Sequence, residues 1–190
     1  MNIDIPTSTE DSTTQMIIET ERFTLRPAQK SDTGLIEMHG SDIRVARNTA
    51  SIPHPYPPGA ADAFVARANA ADRTEDLWVL DGSKSGHAEV IGVISSTRQD
   101  MGTRMGKQSE ISYWIAPAFW NSGMASEAVN AILHANPQDC DTVFAAVFQD
   151  NPASARVLTN AGFAYIGDAE NYSVARMANV ATWTYVKKLK

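Results

Sequence analysis

The stretch that most constrains this chain spans residues 110–135 and reads EISYWIAPAFWNSGMASEAVNAILHA. Its first six residues alternate polar and apolar and are rich in β-formers, which predicts a strand. Pro117 closes that strand, because it has no N–H to give to a ladder. From Gly123 onward, Met124, Ala128, Ala131, Ile132 and Ala135 recur at helical spacing, so a helix follows. Residues 120–126, between the two, carry small side chains where a chain must approach something closely. The N–H groups that open a helix lack intrahelical acceptors, and the positive end of the helix dipole lies beside them. A turn of this kind suits an anion, phosphate first among them. An ordinary strand-to-helix turn shares these features. Neither the G-x-x-x-x-G-K-[ST] nor the G-x-G-x-x-G phosphate fingerprint is present.

The apolar run at residues 142–148 is a second buried strand. A helix links it to the strand at 110–115, which implies a parallel pair. Further strands are expected at 16–25, ended by Pro27, and at 77–80, 88–97, 163–167 and 181–186. Helical segments are expected at 31–38, 42–47, 59–72 and 152–162, the last with Pro152 in its first turn and Gly162 just past its end. Asp81-Gly82 reads as a hairpin turn, and Gly92 as a bulge or a close approach. Residues 98–108 read as a flexible hairpin loop. The sum is an α/β (α+β) chain with a mixed, mostly antiparallel sheet of about seven strands and helices on both faces.

With 190 residues the chain fits one domain, taken here as 16–190, behind a polar N-terminal tail at 1–15. That tail lacks the basic and apolar regions of a signal peptide, and no apolar run is long enough to span a bilayer, so cytoplasm is the expected compartment. A net charge of −6 argues against nucleic acid and suits a cationic amine partner. Cys140 is the only cysteine, and the four histidines show no ligand spacing, so no metal is expected.

Four segments, taken in order, resemble the GNAT N-acyltransferase superfamily, and within it the RimJ/RimL branch of ribosomal-protein N-terminal acetyltransferases. Tyr113-Trp114-Ile115, followed by residues 120–128, is similar to the family's acetyl-coenzyme A pyrophosphate loop. Asn151, Ser154 and Ala161-Gly162-Phe163 are similar to its late helix and the strand after it. Residues 18–27 and the pair 53–57 and 61–64 complete the likeness, which covers about residues 16–188. The resemblance implies a sheet whose central parallel strands splay to admit pantetheine. It implies acetyl-CoA as donor and an amine acceptor, either a protein N-terminus or a small molecule. A homodimer is compatible with it.

Acyl transfer to an amine needs a base for the amine proton, a donor for the developing oxyanion, a partner for the leaving thiolate and a held donor molecule. The resemblance points to Glu110 as base and to Ser154 as hydrogen-bond donor to the thiolate. It gives Trp114, Ile115 and Ala116 backbone contacts to pantetheine, joined by the Asn151 side chain, which also suits a helix cap. Asn121, Ser122, Gly123, Met124, Ala125 and Ser126 would cradle the pyrophosphate. His54, Tyr56 and Tyr113 are placed on the acceptor side, and Glu127 reads as structural. Two positions depart from the pattern. Leu158 stands where many members carry a Tyr that acts as acid, which leaves Ser154, or Tyr165 or Tyr172 from a neighbouring segment, and Trp120 stands where many carry Gln or Arg. Those departures leave open a non-catalytic acyl-CoA-binding sensor or interaction module with the same fold.

Overall fold

The computed structural model describes residues 15–99 and 106–190. The expected tail, but for Gln15, and most of the loop at 98–108 lie outside the described residues. Eight strands form one sheet in the order β1-β2-β3-β4-β5-β6-β8-β7. They are β1 (Ile18–Glu19), β2 (Thr24–Pro27), β3 (Glu75–Asp81), β4 (Gly92–Gln99), β5 (Gln108–Ile115), β6 (Thr142–Phe148), β7 (Ala164–Ser173) and β8 (Ala178–Lys188). The β5–β6 pair is parallel and every other pair is antiparallel. The helices are α1 (Thr33–Gly40), α2 (Ile43–Ala46), α3 (Ala60–Ala68), α4 (Met124–Ala135) and α5 (Pro152–Asn160).

Strand alternation divides the interior into two layers. On one face Leu25, Trp78, Leu80, Ile94 and Val143 pack against Met124, Ala128, Val129 and Ile132 of α4 and Ala155 and Leu158 of α5. On the other, Leu77, Val79 and Val93 meet Ile36 of α1 and Ala61, Val65 and Ala68 of α3. Each fully buried Leu, Ile or Val contributes about 1.5–3 kcal/mol of transfer free energy. This burial fixes α4 and α5 side by side on one face.

Several boundaries differ from the sequence reading. The single first strand is two short ones, because residues 20–23 turn back through Thr20 N to Phe23 O at 3.1 Å. Asp81-Gly82 is not a two-residue hairpin. Asp81 accepts from Ser83 N at 3.0 Å and from Arg26 Nε at 2.6 Å, a short helical turn follows, and β4 begins only at Gly92. Gly92 is a close approach: a Cβ there would lie 2.6 Å from Trp114 O. The closing pair, β7 and β8, is longer than its apolar segments, because its far half projects as a hairpin with few apolar residues to signal it.

Candidate functional site

The parallel pair opens almost as soon as it forms. Only Gln108, Ser109 and Glu110 of β5 find partners on β6, at Thr142, Val143 and Phe144. Beyond them the strands part. Ala116 N donates to Ile91 O at 2.9 Å on one side of β5, and Lys107 O accepts from Asp141 N at 2.8 Å on the other. Alternation from those anchors aims the backbone groups of Ile111, Tyr113 and Ile115 into the gap, and those of Ser112 and Trp114 at β4. Tyr113 and Ile115 therefore offer the open backbone. Ala116 does not: it is buried and its N–H is engaged. The C=O of Ile115 is already taken by Trp120 Nε1 at 2.7 Å. Trp114 turns its ring to the other layer, 5.9 Å from that of His39.

At the end of the gap lies the start of α4. Asn121 (φ 58°) and Gly123 (φ 82°) are left-handed, and no side chain caps the helix. Among the described residues no protein acceptor receives the N–H groups of residues 121–126. Successive free N–H groups at a positive dipole end form an anion concavity. Arg22 braces it from the first hairpin. Its Nε and N donate to Glu127 at 2.6 and 3.0 Å, and its Nη1 donates to Ser122 O at 2.7 Å. Burial pushes the Glu127 carboxyl up, but hydrogen bonds from Arg22 and Thr20 bring it below the usual range, as a carboxylate with a bracing role requires.

A cavity of about 620 Å³ joins this helix start to the gap. Tyr113, Trp114, Ile115, Asn121, Gly123 and Met124 line it, with Ala125, Ser126, Asn151 and Ser154. Among the described residues its charged lining is Arg44 and Arg156, with no carboxylate. Arg44 is paired with Asp42 at 2.7 Å and lies over the Trp120 ring, whereas Arg156 has no ion pair among the described residues. A second cavity of about 90 Å³ shares Tyr113, Asn151 and Ser154 and reaches Glu110. Ser122 lines neither; its hydroxyl donates to Phe119 O at 2.5 Å. His54 and Tyr56 also line neither cavity. His54 is exposed, and Tyr56 packs over Gly40 so closely that a Cβ there would meet its ring at 2.8 Å.

The candidate reacting groups line the small cavity where the strands part. Burial pushes the Glu110 carboxyl above the ordinary carboxylate range, and Gln99 Nε2 lies 3.4 Å away. Tyr113 Oη lies 2.8 Å from Ser154 Oγ and donates within reach of Ser154 O at 3.2 Å. Burial pushes the Tyr113 hydroxyl up to about 12, against an opposing hydrogen bond with Ser154, so it keeps its proton through the physiological range. Asn151 Oδ1 caps α5 by accepting from Ser154 N at 3.3 Å. Leu158, at the departed acid position, is fully buried. The sequence reading missed Arg44, Asn48, Thr49, Arg156 and Thr182. They come from distant segments, and no local motif marks them.

Residues 22–164 match the model of the acetyltransferase (GNAT) domain. Among solved structures, Mycobacterium smegmatis RimJ in complex with CoA-disulfide superposes with a TM-score of 0.76 at 16% identity, over 92% of this chain and 88% of that one. The ribosomal-protein-S5-alanine acetyltransferase from Vibrio fischeri gives 0.73 at 18% identity, over 92% and 97%. Spermidine N-acetyltransferase from Vibrio cholerae, in complex with CoA and spermine, gives 0.68 at 17%, over 88% and 98%. At these identities the likeness is one of fold. No curated protein matches the sequence. The donor set suits coenzyme A: bare helix N–H groups for a pyrophosphate, an open strand edge for an amide-bearing arm, and a cavity between them. The chain belongs to the GNAT acetyltransferase domain family, whose members take their acetyl group from acetyl-CoA.

Proposed function

We propose that this chain moves an acetyl group from acetyl-CoA to a primary amine by direct attack, with Glu110 as base and the Tyr113–Ser154 hydroxyl pair beside the departing thiol. One observation carries the reading: the gap between β5 and β6 connects the uncapped start of α4 to Glu110. Bound acetyl-CoA supplies the thioester acyl group. The helix start holds the phosphates, and Tyr113 and Ile115 offer backbone groups to the pantetheine arm. Glu110 takes the amine proton, directly or through one water. Its desolvated carboxylate is a stronger base than a solvated one. When Tyr113 gives its one proton to Ser154 Oγ rather than to Ser154 O, the Ser154 proton is left to stabilise the thiolate. The RimJ and S5-alanine enzymes among the structural neighbours support a RimJ/RimL-like reading with a protein N-terminal amine, and the spermidine enzyme supports a small amine. No observation favours the non-catalytic module.

The test is steady-state acetyl transfer with free-thiol detection in wild type and Glu110→Gln. The variant is expected to lose about 10²-fold in kcat. Wild-type activity should fall as pH drops through the raised Glu110 pKa, and that limb should vanish in the variant. Stability runs the opposite way. A raised carboxyl pKa contributes stability that is fully present below the unfolded value and lost as pH rises through the folded one, so Glu110→Gln should melt higher at neutral pH. An unchanged kcat and an unchanged acidic limb in the variant would remove Glu110 from the mechanism.

A further inference from the structure

The small cavity holds a feature that the transfer step does not use. Thr182 on β8 is buried, and among the described residues its hydroxyl is the buried side-chain oxygen with no hydrogen-bond partner. Buried hydroxyls are nearly always paired, so an orphan on a residue that lines a cavity calls for a ligand group or water. Its position follows from strand register. Thr182 pairs with Phe148 of β6, and Glu110 pairs with Phe144, four residues earlier on the same strand. Strand alternation therefore puts Glu110 and Thr182 on one face of the sheet, opposite the face that α4 and α5 cover. Asn171 is the diagonal neighbour of Thr182 on β7, since Ala169 is its direct partner.

Residues 47–50 close over that face. Val174 N donates to Ala50 O at 2.9 Å, Arg176 Nε to Arg47 O at 2.8 Å, and Asp150 takes both arginines at 2.8 and 3.3 Å. The small chamber is lined by Glu110, by Thr182 four residues further along β6 in register, and by Asn171 and Asn48. Among the described residues Glu110 is its only charged lining group. Such a chamber has one place for a cation, the reacting amine, and neutral hydrogen-bonding groups beyond it. A polyamine would bring a second cation and find no carboxylate to meet it.

We infer that Thr182 is a specificity residue for the acceptor, its hydroxyl binding a neutral carboxamide carried next to the reacting amine, as at the start of a peptide. This rests on the acetyl-transfer reading and deepens it. A site built around a buried hydroxyl discriminates against an analogue that cannot satisfy it.

The experiment uses two amines that differ only there, alaninamide and isopropylamine, with Thr182→Val and Thr182→Ser. Thr182→Val is expected to raise the KM for alaninamide about tenfold, one hydrogen bond's worth. It should leave the KM for acetyl-CoA, the kcat at saturation and the kinetics with isopropylamine as they were, and Thr182→Ser should restore alaninamide. Valine matches the shape and removes an unpartnered hydroxyl, so the fold should survive. Equal kinetics with alaninamide in wild type and Thr182→Val, or an equal loss with both amines, would overturn the assignment. If wild type turns over neither amine, the acetyl-transfer reading fails by itself. The assignment is then decided by thermal shift with CoA present. A shift by alaninamide in wild type that is absent in Thr182→Val supports it, and no shift in wild type overturns it.

Discussion

Two helices begin side by side at the cavity, and they begin in opposite ways. Residue Asn151 caps α5 with its own carboxamide, and Pro152 fills the first turn, where a missing N–H costs nothing. By contrast α4 begins at Gly123 in a left-handed conformation, with no side chain on its N–H groups. Both face the same space. The capped start is complete without a ligand, whereas the bare one leaves donors for an anion to satisfy. A helix start fit for a phosphate is thus made of absences in the sequence: no cap and no lysine.

The bare start depends most heavily on Gly123. A Cβ there must adopt φ 82° and would sit 3.4 Å from Arg22 Nη2. Gly123→Ala should cost about 1–2 kcal/mol of stability for an L-residue in the left-handed region. Turning the N–H groups aside should also weaken acetyl-CoA binding about tenfold, the equivalent of 1.4 kcal/mol. Calorimetric titration of the variant with acetyl-CoA is the check. Wild-type affinity in a destabilised Gly123→Ala would mean the turn is structural only.

At the capped start the expected effect is smaller, because the Asn151 oxygen caps the helix while its amide NH2 has no protein acceptor among the described residues. Asn151→Asp keeps an equally good cap and discards the NH2. Asn151→Ala discards both and should destabilise by about 1 kcal/mol. Both should raise the acetyl-CoA KM, and only the alanine should lower Tm. If the aspartate kept wild-type KM, the side chain would be a cap and nothing more.

The difference between the two helix starts also explains what could be read from the sequence. The strand at 142–148 was legible to the residue, because an unbroken apolar run between turn signals has few alternatives. The start of α4 was legible because Gly123 and the small residues around it are adjacent in the chain. Glu110 is singled out by the family resemblance, on a recognisable strand that begins two residues earlier, at Gln108. The acceptor side was not legible. The small cavity proposed for it is lined from residues 48–50, from β7 and from β8, which meet only through the sheet register and through the stapling of 47–50 to the last hairpin. His54 and Tyr56 were drawn to that side by a stiff proline-rich loop, but the loop packs Tyr56 on Gly40 instead. Of the three residues expected to offer backbone to the gap, Ile115 faces it while Trp114 and Ala116 turn to the β4 side, because which edge of β5 is open depends on its bonds to β4.

The smallest expected effect concerns charge. The loop carries no basic residue, yet the cavity has two arginines from other elements. They are not equivalent. Arg44 already shares its charge with Asp42 through bonds of 2.7 to 3.2 Å, so its field on a phosphate is partly spent. Arg156 is exposed on the first turns of α5 and has no ion pair among the described residues. A solvated cation acting on a phosphate is screened, with a Debye length of about 8 Å at physiological ionic strength. Arg156→Gln should therefore raise the acetyl-CoA KM only about two- to threefold at low salt, consistent with the modest worth of exposed ion pairs, and the difference should fade as salt rises. The same substitution at Arg44 should do less, since it removes a charge that Asp42 already neutralises. Titrating both variants across a salt series checks this. A salt-independent loss at Arg156 would mean a direct, desolvated hydrogen bond to a phosphate, and the bare helix start would then be only one of two anion grips.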